Sequence, residues 1–242
     1  MLIIAAGMPR SASTLQCNIF NEIFKLKGIG ERPDWKKNWQ DDREELKSDI
    51  LSEKIIIRKS HSLTPELLDW LSDYDGKILI CTSKRDVRDV SVSMMEKFDY
   101  SFSKSLDRIE KAIENLERIY GSGIKFIEQD YNKLRYDLRG SIVECANFIS
   151  INLNDEEVDV IYSTLNVEKA YEASKSNSSP FVNKLKRYFQ FVFSKTFKYK
   201  NQSLMLHPNH VSGTLGQSGL WQSKLNDDQV KTLSARFSTW CD

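Results

Sequence analysis

The chain has 242 residues, 40% of them hydrophobic, and a formal net charge of +1, a length and apolar content that suit one α/β domain, or one with a small appendage. The near balance of charge excludes strong global steering toward nucleic acid or an anionic membrane, so any positive potential has to be local. Four well-separated cysteines, Cys17, Cys81, Cys145 and Cys241, form no C-x-x-C pair, which argues against a zinc knuckle or a disulfide framework and for reduced thiols.

Taken in chain order, the first element is a strand over Leu2–Ala6, followed by the turn Gly7-Met8-Pro9-Arg10-Ser11-Ala12-Ser13-Thr14 and a helix from Leu15 to Leu26. A strand starting this early leaves no room for a signal peptide, and no apolar run approaches the ~20 residues that cross a bilayer; a cytoplasmic location without a transmembrane segment is the expectation. Residues 29–53 read as irregular, with Trp35 and Trp39 able either to line an acceptor pocket or to join the core. A second strand is expected over Lys54–Arg58. Thr64-Pro65-Glu66 opens a helix that runs to about Tyr74 and stops near Gly76, because the threonine caps it and proline suits its first position.

The third strand covers Lys77–Thr82 and leads into another helix. From Ser105 to Tyr120, Leu106, Ile109, Ile113, Leu116 and Ile119 fall on one helix face, and Gly121-Ser122-Gly123 ends the run. A fourth strand follows over Ile124–Gln129, then helices over Leu138–Ile149, over Asp155–Leu165 after Asn154, and over Asp227–Trp240 after Asn226. Residues 172–220 read as irregular; within 180–200, aromatic and basic side chains interleave, which suits a lid, a subunit contact, an interfacial helix or a core helix with solvated lysines. Helices alternating with short strands buried on both faces imply an α/β fold with a mainly parallel central sheet flanked by helices, and chemistry at the carboxyl ends of the strands.

Three segments stand at those ends. The turn from Gly7 to Thr14 points backbone N–H groups and a helix N-terminus at one spot, which suits a phosphate. Its length matches the nucleotide loop G-x-x-x-x-G-K-[ST], but Ala12 replaces the second glycine and Ser13 replaces the lysine that reaches a triphosphate. An ordinary strand-to-helix turn is the plain alternative. After the second strand come Lys59 and His61, a cation and a candidate proton acceptor, which otherwise read as a solvated lysine and a backbone-bonded histidine. After the third, Arg85 offers a planar fork for a second phosphate, and Ser93, eight residues on, a hydroxyl two helical turns away. Arg88 and Asp89 between them read as surface or helix-terminal contacts.

These residues resemble the sulfotransferases that use 3′-phosphoadenosine 5′-phosphosulfate (PAPS). Pro9-Arg10-Ser11-Ala12-Ser13-Thr14-Leu15 is similar to that family's 5′-phosphosulfate loop, and Arg85 through Ser93 to its 3′-phosphate segment. Lys59-Ser60-His61, with Leu63 and Pro65 behind it, resembles the Lys-Thr-His segment of the cytosolic members, whose histidine is the catalytic base. His210-Val211-Ser212-Gly213 through Gly219-Leu220-Trp221 resembles the C-terminal loop that closes over the cofactor. The resemblance implies a nucleotide-hydrolase-like three-layer sandwich spanning residues 1–242 as one domain. It implies PAPS as co-substrate without a metal, and a small-molecule, lipid or carbohydrate acceptor bearing a hydroxyl or amine. It assigns His61, Arg10 and Lys59 to catalysis. Pro9, Arg10, Ser11, Ala12, Ser13, Thr14, Arg85, Ser93, His210, Ser212 and Gly213 then bind the nucleotide.

The chain departs from the family pattern in several places. Arg10 stands where cytosolic members have lysine, Ala12 where glycine is usual, and Leu15 where an adenine-stacking tryptophan is usual. Ser212, Thr214 and Gln217 replace basic residues of the closing loop, and Glu128-Gln129-Asp130-Tyr131 loosely echoes a Tyr-Glu-Asp-Leu segment. A small-metabolite kinase and a non-catalytic nucleotide-binding module are the rival readings, and a homo-oligomer is compatible with either.

Overall fold

In the computed structural model, which describes residues 1–33, 39–74, 76–166 and 216–241, the expected strands pair into one parallel sheet. Strands β1 (Leu2–Ala5), β2 (Gly30–Glu31), β3 (Ile55–Lys59), β4 (Ile78–Lys84) and β5 (Phe126–Asp130) lie in the order β2-β3-β1-β4-β5. β1 is central, with Ala5 in register with Lys59 of β3 on one side and Cys81 of β4 on the other. From β1 the chain goes to the edge strand β2, returns to β3 beside β1 and then crosses to β4 on the other side, and at such a reversal the loops leaving neighbouring strands diverge and open a crevice. The carboxyl ends of β1, β3 and β4 therefore meet at one place.

The apolar runs are continuous because both sheet faces are covered. Leu2 and Ile4 join one buried cluster, Ile3 and Ala5 the other, as the two-residue period of a strand requires. On the second side pack α1 (Ser13–Lys27), through Phe20, Ile23 and Phe24, and the later helices α7 (Leu138–Phe148) and α8 (Asp155–Leu165). On the first side lie α2 (Arg43–Leu51), α3 (Pro65–Ser72), α4 (Val87–Phe98), α5 (Phe102–Gly121) and α10 (Asp227–Arg236). The expected α5 stripe from Leu106 to Ile119 is buried there. Short helices α6 (Tyr131–Tyr136) and α9 (Trp221–Lys224) complete the described set.

Several boundaries differ from the sequence reading. Residues 29–53 are not irregular throughout: they contain β2 and the nine-residue helix α2. β2 has two residues, too few to show an alternation, and α2 buries only Leu46 and Ile50. Its start is set by Asp42, whose carboxylate accepts from Glu45 N at 3.0 Å. β5 begins at Phe126 rather than residue 124, and the last helix gives way after Arg236 to a 3₁₀ turn over Ser238–Trp240. The predicted capping residues Thr64, Asn154 and Asn226 all cap, the two asparagines within complete capping boxes.

Candidate active site

β1 ends in backbone rather than side-chain chemistry. Ala6 N and Met8 N donate to the carbonyls of Cys81 and Ser83 at 2.8 and 2.9 Å, so the turn is stitched to the end of β4. A side chain at Gly7 would fall on Ser83 Oγ and lie 2.8 Å from Ser83 N, which leaves glycine as the residue that fits. Ser11 is fully buried, and its hydroxyl contacts Met8 O at 2.5 Å, Ser83 O at 2.9 Å and Ser83 Oγ at 2.7 Å. Its side chain thus holds the turn together. Ser13 is buried as well, whereas Pro9, Arg10, Ala12 and Thr14 are half-buried.

Two residues of the turn adopt the left-handed region, Arg10 at φ 67° and Ala12 at φ 66°. Ala12 is the N-cap of α1 and makes no side-chain cap bond. The first-turn N–H groups of any helix lack intrahelical acceptors, so the start of α1 carries donors and positive potential suited to an anion. The left-handed backbone costs a β-carbon-bearing residue roughly 1–2 kcal/mol, a strain that the expected glycine would not carry.

Arg10 and Ser93 meet: Arg10 Nε donates to Ser93 Oγ at 2.9 Å, joining the β1 turn to the middle of α4. Burial and the neighbouring Arg85 push the Arg10 guanidinium below its ordinary pKa. Lys59, at the end of β3, donates from Nζ to Thr14 Oγ1 at 2.5 Å. Burial lowers its pKa to about 8, with Arg10 and Arg32 adding like charge. Arg32 directly follows β2, whose two residues are too few to mark a strand end in the sequence. Arg58, by contrast, faces α2 and pairs with Glu45 at 2.7 Å and Asp49 at 2.8 Å.

His61 is exposed, and its Nδ1 lies 2.9 Å from Gly7 O. In the tautomer that donates this bond, Nε2 carries the lone pair, and the ring is anchored to the β1 turn. The segment around it is held by Trp39 Nε1 on Lys59 O at 2.9 Å and by Gln40 Nε2 on Ser60 Oγ at 2.8 Å and Ser62 O at 3.2 Å. Trp39 is core, whereas Trp35 lies outside the described residues. A cleft of about 440 Å³ lined by Gln40, Asp41, Arg43, Ser62, Thr64 and Leu67 borders the same segment.

Arg85 is 7% exposed. Its Nη1 donates to Arg10 O at 3.3 Å and its Nη2 to Gln217 O at 3.0 Å, its guanidinium stacks 3.9 Å from the centre of the Tyr131 ring, and its Nε has no partner. Tyr131 begins the helix after β5, and its hydroxyl donates to Gly216 O. Asp89 corrects the surface reading: it is 3% exposed and accepts from Gly219 N at 2.7 Å and Trp221 N at 3.2 Å. Arg88 stays near the surface, forked onto Asp86 and stacked 3.9 Å from the Trp221 ring. Burial of Asp89 follows from its place one turn after Arg85 on the α4 face that meets residues 216–221, a partner segment too distant in sequence to be anticipated.

Of the remaining expected site residues, His210, Ser212 and Gly213 lie outside the described residues, as do residues 180–200. Leu15 is buried against the second core cluster. Among the described residues, no group of three or more His, Cys, Asp or Glu side chains is arranged to hold a metal ion, and no helix is long and apolar enough to cross a membrane.

No protein-family model and no curated protein matches the chain. Solved structures do. Mouse sulfotransferase SULT7A1 complexed with PAP aligns with TM-score 0.67 at 14% identity, over 99% of this chain and 82% of that one. Retinol dehydratase aligns with TM-score 0.57 at 15% identity, over 98% of this chain and 80% of that one, both in complex with androsterone and the inactive cofactor PAP and in complex with retinol and PAP. The parallel sheet, its helical layers and these neighbours together give the chain the fold of the PAPS-dependent sulfotransferases.

Proposed function

We propose that the protein is a sulfotransferase that moves a sulfuryl group from PAPS to an acceptor hydroxyl or amine, with His61 as general base. The observation that carries this reading is the convergence of Arg10, Lys59 and Arg85 from three strand ends around one turn whose Gly7 carbonyl also holds His61. Two cationic sockets suit a ligand with phosphate at both ends. Arg10, Lys59, Thr14 and the start of α1 form the first and would hold the 5′-phosphosulfate; Arg85, with Ser93 close by through Arg10, forms the second and would hold the 3′-phosphate.

In the transfer, the acceptor oxygen or nitrogen bonds to sulfur as the bond from sulfur to the 5′-phosphate oxygen breaks. His61 Nε2 takes the acceptor proton. Arg10, Lys59 and the α1 N-terminus stabilise the charge that collects on the departing phosphate, a pre-organised electrostatic effect that needs no movement at the moment of reaction. The cleft beside Ser62 and Thr64 would seat the acceptor, sought among small molecules, lipids and carbohydrates. The same reading treats the chain as one sulfotransferase domain acting in the cytoplasm.

Thermal denaturation tests the reading. PAP without magnesium should raise the midpoint, since a ligand that binds only the folded state stabilises it by mass action, and ATP with magnesium should not. The reverse pattern would favour a kinase. PAP stabilisation without sulfation of any acceptor in a panel incubated with labelled PAPS would instead indicate a nucleotide-binding module.

A further inference from the structure

We infer that Asp89 is a positioning residue: its buried carboxylate fastens the strap 216–221 over Arg85 and thereby sets how firmly the second socket holds the nucleotide's 3′-phosphate, a role that rests on the sulfotransferase reading. Both carboxylate oxygens are spent on strap backbone, Oδ2 on Gly219 N and Oδ1 on Trp221 N. Between those anchors and Tyr131, whose hydroxyl takes Gly216 O, the strap brings Gln217 O onto Arg85 Nη2 at 3.0 Å. Ser218 adds a contact from its hydroxyl to Asn132 Oδ1, and the Trp221 ring packs under Arg88.

Arg85 is therefore enclosed: the Tyr131 ring covers its face, Arg10 O and Gln217 O occupy its fork, and Nε remains buried without an acceptor. An unpaired buried guanidinium N–H is costly, and a phosphate oxygen would satisfy it. Access requires the strap to yield, and retention requires it to return. The strap's return is governed by charge-assisted hydrogen bonds to Asp89, which are stronger than neutral ones.

The alternative role for Asp89 is that of a bare charge neighbour, since Oδ2 also lies 3.8 Å from Arg85 Nη2. The two roles predict opposite signs. As a neighbouring anion, Asp89 lowers the positive potential at the socket, so Asp89→Asn would tighten PAP binding; as the strap's fastener, its loss loosens binding.

The experiment measures PAP dissociation rates and PAPS steady-state kinetics for wild type and Asp89→Asn. The expected result is about a tenfold rise in PAP dissociation rate and in KM for PAPS, the scale of losing charge-assisted bonds, with kcat and the acceptor KM within about twofold. Gly219→Ala provides a variant with Asp89 and Arg85 intact: its added carbon meets nothing within 4 Å, but the φ of +80° strains the strap, and dissociation should quicken in the same sense. Asp89→Glu should recover part of the loss. Unchanged or tighter PAP binding in Asp89→Asn, or a fall in kcat without a change in PAPS KM, overturns the inference. So does normal PAP retention in Gly219→Ala, which decides the matter if Asp89→Asn does not fold. Absence of PAP binding in the wild type would overturn the sulfotransferase reading itself.

Discussion

The two proposed anion sockets are built by different means. The first is made mostly from contiguous chain: the Gly7–Thr14 turn is stitched to the end of β4 by Ala6 N and Met8 N and stiffened by Ser11, so the turn dictates the directions of its backbone donors, and Lys59 joins it from the end of β3. The second is assembled from side chains and carbonyls that are remote in sequence, with Arg85 of the β4 end, Asp89 of α4, Tyr131 after β5 and the strap 216–221 meeting around one guanidinium. A socket of backbone donors is as rigid as the sheet beneath it. In the sulfotransferase reading, one of docked side chains would open to admit and release the nucleotide from that end.

The contrast is sharpest at His61, which rests on the rigid side. His61→Ala should lower kcat by about 100-fold or more, the range for removing a general base, while PAP affinity measured by calorimetry stays unchanged. Retained turnover would remove His61 from the mechanism. Gly7→Ala tests the rigidity itself: overpacking against Ser83 should cost about 1–3 kcal/mol, read as a lowered denaturation midpoint, and a midpoint equal to wild type would mean that the turn is softer than its contacts indicate.

On the opening side, Arg85→Ala should weaken PAP binding by about tenfold or more, the worth of a charge-assisted bond, with less effect on an inorganic sulfate probe of the first socket. An equal loss for both probes would mean that the sockets are not independent. Lys59 supplies a pH test of the rigid socket. Its pKa is lowered to about 8, and a bound anion favours the charged form, so PAP affinity should be full below that value and decline as pH rises through it. Lys59→Met should flatten the profile; a decline that persists in the variant would point to another group. The smallest effect is expected at Ala12→Gly. Relief of the left-handed backbone, set against glycine's greater freedom when unfolded, should raise stability by less than about 1 kcal/mol, measured by urea denaturation, and destabilisation would show that Ala12 contributes packing that outweighs its strain.

The difference between the sockets also separates what was legible in the sequence from what was not. The β1 turn could be read because strand, glycine, hydroxyls and helix follow one another within a few residues and depend on local geometry. Lys59, His61 and Arg85 could be read from their places just past apolar runs. Of the two readings for Asp89, the surface one fails because its partners are backbone N–H groups about 130 residues away, a relation with no local periodicity. Tyr131 stands in the sequence only as part of a loose Glu128–Tyr131 echo because it acts through a remote strap, and α2 buries too little apolar surface to announce a helix.

By itself, then, the order of residues determined the layered parallel fold, the helix caps and the chemistry available at each strand end, because strand and helix periods and capping are short-range physics. The tertiary structure decided which of those groups meet. It turned Ser11 inward as a brace, set Arg58 against α2 rather than the crevice, and enclosed Arg85 beneath Asp89's strap. Such pairings depend on how remote elements pack, and packing satisfies buried charges and hydrogen bonds across the whole molecule at once.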